Sequence, residues 1–262
     1  MRKPGAGTQT ILIVLASCIF LFAAWSILVR SGIMPPVYLP SPQAVWSAFL
    51  ELAFGEGYKG MNLAAHLGVS LLRIGAAFAL AAAFAVPLGL LCGYFGRLRD
   101  LIAPAVYFYR PLPPLAYYTL LIIWLGIGEA SKIALLFLAG FAPIFLSCLS
   151  AVGHVEQNRI IAARTLGAST GKLFVYVIIP SCLPEMLTGL RTALGFIYTT
   201  LVAAEMVAAA SGIGWMVLDA SNFLRSDIIF VGIIVMGITG VLIDYGFQLL
   251  ERVFVPWKGK GD

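Results

Sequence analysis

Three ionisable residues, Arg110, Arg191 and Glu205, lie within or beside long apolar segments of the chain. A charge placed in the hydrocarbon layer of a membrane is costly unless it faces water or a partner, so each is a candidate functional residue. A guanidinium presents a planar fork of donors that suits an oxyanion, which makes Arg110 a candidate contact for an anionic head group. The alternative is that Arg110 extends its side chain to the membrane interface.

Glu205 lies deep in its apolar segment, after Thr199 and Thr200, and is expected to face a neighbouring helix or the axis of a dimer. A carboxylate repels an anion but attracts an ammonium group, so Glu205 would suit a zwitterionic ligand. The alternative is a hydrogen-bonded structural glutamate. Asp244 is interpreted as structural, and so are Glu129 and Lys132, which are placed at the start of a helix.

Patterns typical of enzymes are weak in this sequence. Paired carboxylates for acid–base work and a dinucleotide-binding glycine pattern are absent, and His66 and His154 have no neighbour at metal-ligand spacing. Residues 167–173 resemble a phosphate-binding loop, but three residues separate the glycines where four are needed, and Leu173 stands where Ser or Thr binds magnesium. The sequence therefore predicts no ATP site, no metal site and no enzymatic activity of its own.

The composition requires a membrane. Hydrophobic residues make up 61% of the chain and charged residues 11%, whereas a soluble domain carries about 25% charged residues. The formal charge of +5 comes from basic residues at the ends of apolar runs rather than from a basic stripe, which argues against nucleic acid as a partner. The four cysteines occur singly and are interpreted as packing residues; they are Cys18, Cys92, Cys148 and Cys182.

Six apolar segments predict an all-α, polytopic protein with six transmembrane helices in a single domain. The predicted spans are residues 10–29, 71–94, 101–125, 133–152, 185–210 and 228–250. The first segment is longer than the 7–15 apolar residues of a signal peptide and no small-residue cleavage site follows it, so it is predicted to be retained.

The distribution of basic residues predicts that both termini are cytoplasmic, because cytoplasmic loops carry an excess of Lys and Arg. With this orientation ten basic residues lie inside and four outside. Those inside are Arg2, Lys3, Arg97, Arg99, Arg159, Arg164, Lys172, Arg252, Lys258 and Lys260, and those outside are Arg30, Lys59, Lys132 and Arg225.

Two connections are long enough to contain structure of their own. In the outer one, Ser41 and Pro42 are typical of a helix start, which predicts a short helix over residues 42–53 in the membrane interface. The cytoplasmic one, residues 153–184, is predicted to hold one short helix that ends near Gly167. A second, over residues 169–177, is expected to stop before Pro180 and Pro184, because proline lacks an amide donor.

The cytoplasmic connection contains Ala162-Ala163-Arg164-Thr165-Leu166-Gly167, followed by Val177-Ile178-Ile179-Pro180. This run resembles the coupling loop of ATP-binding-cassette (ABC) importer permeases, in which two alanines precede a glycine at a fixed spacing. Two small residues allow a helix to seat closely in a partner, and the glycine allows the chain to reverse. The alternative is an ordinary pair of helices between spans.

Other segments resemble the permeases for taurine, other sulfonates, nitrate and bicarbonate. They are Tyr109-Arg110-Pro111-Leu112-Pro113-Pro114-Leu115-Ala116-Tyr117, residues 124–132, residues 184–191, residues 200–205 and, ahead of these, residues 39–42. The family pattern opens its coupling loop with a glutamate where this chain has Ile161. Any ionic contact made by that glutamate must here be absent or replaced, by Arg159 or Arg164.

The resemblance implies a type I ABC importer permease fold in a bacterial inner membrane and a homodimer with a central pathway lined by the second to fifth spans. It also implies two cytoplasmic ATPase subunits, which carry ATP and magnesium, and a periplasmic substrate-binding protein. The implied coupling residues are Arg159, Ala162, Ala163, Arg164, Thr165, Leu166, Gly167 and Ala168, and the implied pathway residues are Tyr109, Arg110, Tyr117, Thr200 and Glu205. Gly89, Gly93, Gly189 and Gly195 are expected to permit close helix packing, and residues 212–214 to form an outer turn near the binding protein.

The resemblance favours taurine or a related small sulfonate as substrate, with nitrate, bicarbonate or a larger aliphatic sulfonate as alternatives. Two other classes of protein are compatible with the residues alone. A transporter driven by an ion gradient would use Glu205 and Asp244 as ion sites, and a membrane scaffold would transport nothing.

Overall fold

The computed structural model describes residues 6–256, which form α-helices and, among these residues, no β-strand. The helices are α1 Ala6–Arg30, α2 Pro42–Phe54, α3 Leu63–Tyr94, α4 Gly96–Tyr109, α5 Pro114–Leu125, α6 Glu129–Gly153, α7 Gln157–Thr165, α8 Thr170–Leu173, α9 Ile179–Ala208, α10 Ile213–Asn222 and α11 Ser226–Phe254. The predicted all-α class is confirmed.

Four of the described helical stretches are long and apolar enough to cross a membrane: Leu63–Tyr94, Glu129–Gly153, Thr170–Ala208 and Ser226–Phe254. In a bilayer a helix satisfies its backbone hydrogen bonds internally, which is why apolar runs of this length adopt it. The first and third predicted spans correspond to α1 and to α4 with α5. The count of six and the cytoplasmic termini stay predictions, and Arg2, Lys3, Lys258 and Lys260 lie outside the described residues.

The third predicted span, residues 101–125, consists of two helices rather than one. Helix α4 ends at Tyr109 and α5 begins at Pro114. Pro111, Pro113 and Pro114 cause the break, because proline has no amide donor and disfavours helix at the residue before it. At about 1.5 Å per residue, neither helix alone spans a layer of about 30 Å. Arg110 therefore lies at an interruption in the helical backbone.

The prediction that a second cytoplasmic helix stops before Pro180 is wrong. Helical structure continues without interruption from Thr170 to Ala208, through both Pro180 and Pro184. Residues Phe174–Ile178 are π-helical and join α8 to α9. A π-turn bonds residue i to i+5 and widens the backbone, which relieves the clash that a proline ring makes with the preceding turn of an α-helix.

The described chain divides into two compact units, and the first comprises residues 6–63 and 216–234. Helix α2 begins as predicted, with the Ser41 hydroxyl accepting from Ala44 N and with Pro42 as its first residue. In the same unit, Asp219 accepts from Lys59 Nζ at 2.6 Å and from the Tyr58 hydroxyl at 2.7 Å. These hydrogen bonds, first that from Lys59, hold the pKa of Asp219 below its usual value. They tie α10 to the turn that precedes α3.

The second unit comprises residues 64–215 and 235–256 and contains the larger core. Helices α6 and α9 pack against each other along this core. Ile144, Phe145 and Cys148 of α6 are fully buried, as are Leu173 and Ile178 beside α9. Cys92 and Cys182 are buried with them and unbonded to other cysteines. This supports their interpretation as packing residues; the side chain of Cys18 is outside the described part.

Close helix packing depends on three of the four glycines predicted for it. A Cβ added at Gly89 would lie 2.6 Å from Phe145 O, one at Gly93 would lie 2.6 Å from Val152 Cβ, and one at Gly189 would lie 2.4 Å from Ser147 Cβ. At Gly195 nothing lies within 4 Å of the added atom. The prediction is therefore confirmed for the first three, whereas Gly195 makes no close approach in this structure.

We expect Gly89→Ala to destabilise the protein by about 1–3 kcal/mol, because the added methyl group collides with the backbone of α6. Gly75→Ala on the same helix is the matched control, since its added Cβ has nothing within 4 Å. Because alanine is the better helix former, the control is expected to leave stability unchanged or to raise it by up to about 1 kcal/mol. Thermal unfolding of both variants in detergent checks this, and equal melting temperatures would contradict it.

Candidate functional site

A cavity of about 460 Å³ lies within the second unit, between the α4–α5 break and helices α6 and α9. Its lining residues are Tyr109, Arg110, Leu112, Pro114, Tyr117, Leu138, Ala139, Ala142, Pro143, Leu146, Ser147, Ser150, Glu185, Thr188, Thr192 and Phe196. This volume is in the range of small-molecule sites, about 300–1,000 Å³. Three of the five predicted pathway residues, Tyr109, Arg110 and Tyr117, line it.

Local sequence explains how the polar groups reach this cavity. The proline-rich break between α4 and α5 turns the chain at Arg110, so Tyr109 and Tyr117 approach from its two sides. On α9, Glu185, Thr188 and Thr192 follow helical spacing and so share one face. Gly189, on the same stretch of α9, allows close contact with Ser147 of α6. The cavity thus has one polar wall from the break and another from α9.

The cavity contains charges of both signs. Arg110 is exposed and has no ion-pair partner among residues 6–256. Glu185 Oε1 lies 2.7 Å from His154 Nδ1. The Tyr109 hydroxyl is buried, and it has no hydrogen-bond partner in the described part of the chain. A buried hydroxyl without a partner is unfavourable by about 1–3 kcal/mol, so this group is available to a ligand or a water molecule.

The other two predicted pathway residues, Thr200 and Glu205, are buried and do not line this cavity. Glu205 is 1% exposed and accepts from Arg73 Nη1 at 2.7 Å and from the Ser70 hydroxyl at 2.8 Å. Arg73 also donates to both carboxylate oxygens of Glu129, at 2.6 and 2.7 Å. We call Arg73, Glu129, Lys132 and Glu205 the charge cluster. These contacts favour the structural interpretation of Glu205.

Sequence reasoning missed Arg73, although the signal was present. Arg73 is a charge inside the second predicted span, the same observation that singled out Arg110 and Glu205. Its side chain is 3% exposed, and Lys132, also in the charge cluster, donates to Glu129 at 3.3 Å. The cluster holds two positive and two negative groups, so its formal charge is balanced, which allows Arg73, Lys132 and Glu205 to be buried.

The turn at residues 211–214 is held by side chains of α3 and α9. Arg73 donates to Ser211 O at 2.8 Å, and Gly212 N donates to His66 Nδ1 at 3.2 Å. Ile213 N donates to the Ser70 hydroxyl at 3.0 Å, and Gly214 N donates to Glu205 Oε2 at 2.8 Å. Gly212 has φ +117°, and an added Cβ would lie 2.3 Å from Glu205 Oε1. Gly212 and Gly214 are thus required because a larger residue at either position would collide with Glu205.

Arg191, the third ionisable residue singled out in the sequence, pairs with Asp244. Its Nε and Nη2 donate to the two carboxylate oxygens at 2.6 and 2.8 Å, and Gln248 donates to Asp244 at 2.9 Å. A bidentate pair of this kind fixes the orientation of both side chains. The pair joins α9 to α11, and this structural role explains why both charges occur within apolar segments.

The predicted coupling residues form a short exposed helix and turn. None of the residues of α7 is fully buried; Ile160 and Ala163 pack against the core, while Ile161 and Leu166 are 59% and 87% exposed. Gly167 has φ +80°, and Ala168 N donates to Ala163 O at 3.0 Å, which reverses the chain after α7. Arg164 donates to the Tyr94 hydroxyl at 3.0 Å, so this residue is partly engaged within the chain.

Residues 167–171 also spell Gly-x-Ser-x-Gly, a spacing shared with the nucleophile turn of some hydrolases. That turn requires a strand before the serine, whereas here helix α7 precedes it. The Ser169 hydroxyl accepts from Lys172 N at 3.5 Å and caps α8. Ser169 therefore has a local structural use and lacks the surroundings of a nucleophile.

Comparison with known proteins agrees with this arrangement. Residues 85–258 match the family described as binding-protein-dependent transport system inner membrane component. The chain is 43% identical to the taurine transport system permease protein TauC of Escherichia coli K12, over 92% of this chain and 87% of that protein. It is 30% identical to the nitrate import permease protein NrtB of Synechocystis, over 85% of this chain and 82% of that protein.

The fold also matches a solved structure. The inward-facing MetNI methionine ABC transporter superposes with a TM-score of 0.64 at 17% identity, covering 73% of this chain and 95% of that one. This confirms the type I ABC permease fold, and the apolar helices place the protein in the inner membrane as a multi-pass protein. The chain belongs to the family of binding-protein-dependent transport system inner membrane components, as an ABC importer permease of the taurine, sulfonate and nitrate group.

Proposed function

We propose that this permease carries a small sulfonate, with taurine as the best candidate, from the periplasm to the cytoplasm. The observation that carries the proposal is the cavity beside the α4–α5 break, where Arg110 has no charged partner among the described residues. A guanidinium without a partner suits an oxyanion. The 43% identity to TauC supports taurine over other members of the group.

We further propose that two copies of the chain surround the pathway and that the chain itself binds no cofactor. Thr188, Thr192 and Phe196 line the cavity and are exposed in the single chain, which supports closure of this side by a second copy. Two ATPase subunits would hydrolyse ATP with magnesium, and a periplasmic protein would deliver the substrate. Rigid-body rocking of the two copies would then alternate access between the two sides of the membrane.

The coupling surface proposed for the ATPase is the exposed face of α7 with the turn that follows. Apolar Ile161 stands where the family pattern has glutamate, and its 59% exposure supports docking by shape and apolar contact rather than by charge. Arg159 lies on the same short helix and pairs with Glu156 at 3.3 Å. Since both members of that pair are well exposed, it is open to exchange for a contact with the ATPase.

ATP hydrolysis by the assembled transporter in proteoliposomes tests the function. We expect the taurine-loaded binding protein to stimulate hydrolysis and the empty binding protein to stimulate it far less. A binding protein loaded with nitrate or with an alkanesulfonate is the comparison for substrate. Stimulation only by one of these would overturn the assignment of taurine as the substrate. Uptake without any ATPase would overturn the proposed energy source.

A further inference from the structure

The two polar walls of the cavity differ in hydrogen-bonding character. The wall at the α4–α5 break presents donors, which are the guanidinium of Arg110 and the hydroxyl of Tyr109. The wall on α9 presents Glu185, Thr188 and Thr192. An ionised carboxylate only accepts hydrogen bonds, so the walls are complementary to different parts of a ligand.

The two threonines of the α9 wall already donate their hydroxyl protons to backbone carbonyls of the same helix. Thr188 Oγ1 donates to Pro184 O at 2.9 Å, and Thr192 Oγ1 donates to Thr188 O at 2.9 Å. A hydroxyl has one proton and two lone pairs, so Thr192 Oγ1 still accepts. A sulfonate, which offers only acceptors, gains nothing from this wall, whereas an ammonium group offers three donors.

Glu185 adds a negative charge to the same wall. His154 Nδ1 lies 2.7 Å from its Oε1 and must donate to it, because an ionised carboxylate has no proton to give. The side chains of His154 and Glu185 are 68% and 44% exposed, so both groups remain accessible. Its second oxygen, Oε2, has no protein partner among the described residues.

We infer that this cavity is a two-ended site that selects a zwitterion, with the anionic end at Arg110 and Tyr109 and the ammonium end at Glu185 and Thr192. The inference rests on the proposed function and adds to it the residues that bind each end of the substrate. A small aminosulfonate satisfies both walls. An alkanesulfonate or nitrate satisfies only the first and meets repulsion from Glu185.

Ligand binding to the permease–ATPase complex in lipid nanodiscs, without the binding protein, tests this. The probes are taurine and ethanesulfonate, which share the two-carbon sulfonate and differ by the ammonium group. Saturation-transfer NMR gives the affinity of each. We expect Glu185→Gln to weaken the binding of taurine about tenfold or more, as for the loss of one charged hydrogen bond. The affinity for ethanesulfonate should be unchanged or higher. Arg110→Gln is expected to weaken the binding of both probes.

Glu56→Gln is the matched control, because it removes an exposed carboxylate elsewhere in the chain and is expected to alter neither affinity. Melting temperatures of all variants show whether the fold is intact. The inference would be overturned if Glu185→Gln lost affinity for taurine and for ethanesulfonate equally, or if its affinity for taurine were unchanged. It would also be overturned if the wild-type complex bound no taurine. If taurine-loaded binding protein still stimulates ATP hydrolysis in that case, the proposed function stands and only the two-ended site is lost.

Discussion

Replacing Glu205 with leucine is expected to destabilise the protein by about 3–5 kcal/mol, because it leaves a buried arginine without its buried counter-charge. Arg73 is 3% exposed and Glu205 1% exposed, and their Nη1 and Oε1 atoms lie 2.7 Å apart. The substitution also removes the acceptor of Gly214 N and a partner of the Ser70 hydroxyl. The turn at residues 211–214 should therefore loosen together with the ion pair.

Glu129→Leu is the matched control for this prediction, since Glu129 pairs with the same Arg73 but is 57% exposed. Water can take the place of an exposed carboxylate, so we expect Glu129→Leu to lower the free energy of unfolding by about 1 kcal/mol. Glu205→Gln, which keeps an acceptor but loses the charge, is expected to fall between the two. Thermal unfolding of the purified protein in detergent ranks the three variants. Equal melting temperatures for Glu205→Leu and Glu129→Leu would show that burial of the pair is not what stabilises this region.

Replacing Gly167 with valine is expected to abolish most substrate uptake while leaving the membrane domain folded. Gly167 has φ +80°, a conformation that costs a β-branched residue about 1–2 kcal/mol or more, yet its added Cβ would meet nothing within 4 Å. The strain is therefore relieved by moving the turn after α7 rather than by disturbing the core. Because this turn fixes the proposed coupling surface, ATP hydrolysis should continue at its basal rate and cease to respond to loaded binding protein.

Gly171→Ala is the matched control for Gly167→Val. Gly171 lies four residues further on, in α8, has no positive φ, and has open space around an added Cβ. We expect normal uptake and normal stimulation of hydrolysis in this variant. Uptake assays in proteoliposomes, with protein yield and melting temperature measured beside them, make the comparison. Normal coupled transport by Gly167→Val would remove the assigned role of this turn.

The sequence alone determined the class of the protein and its family. Apolar runs of about 20 residues leave no alternative to helices in a bilayer, because each residue's backbone must find a hydrogen-bond partner within the run. Ser41 and Pro42 correctly indicated the start of α2. The spacing of Ala162, Ala163 and Gly167, together with the longer segments, correctly indicated the ABC permease family.

Local rules were less reliable where the backbone departs from a regular α-helix. Prolines end a helix between α4 and α5 but not at Pro180, where the π-helical residues Phe174–Ile178 absorb the misfit. The residue type is the same in both places. What differs is the packing around it: Ile178 of the π-helical turn is fully buried in the core, so continuing the helix there preserves apolar contacts.

Which charges meet was decided only by the tertiary structure. The sequence marked Glu205 and Arg110 equally as charges in apolar runs, yet Glu205 bonds to Arg73, 132 residues away, while Arg110 lines a cavity that Glu185 also lines. Hydropathy is a property of each segment by itself and can be read along the chain. The partner of a charge depends on the rotation and depth of whole helices, and these are set by close contacts such as those at Gly89 and Gly189.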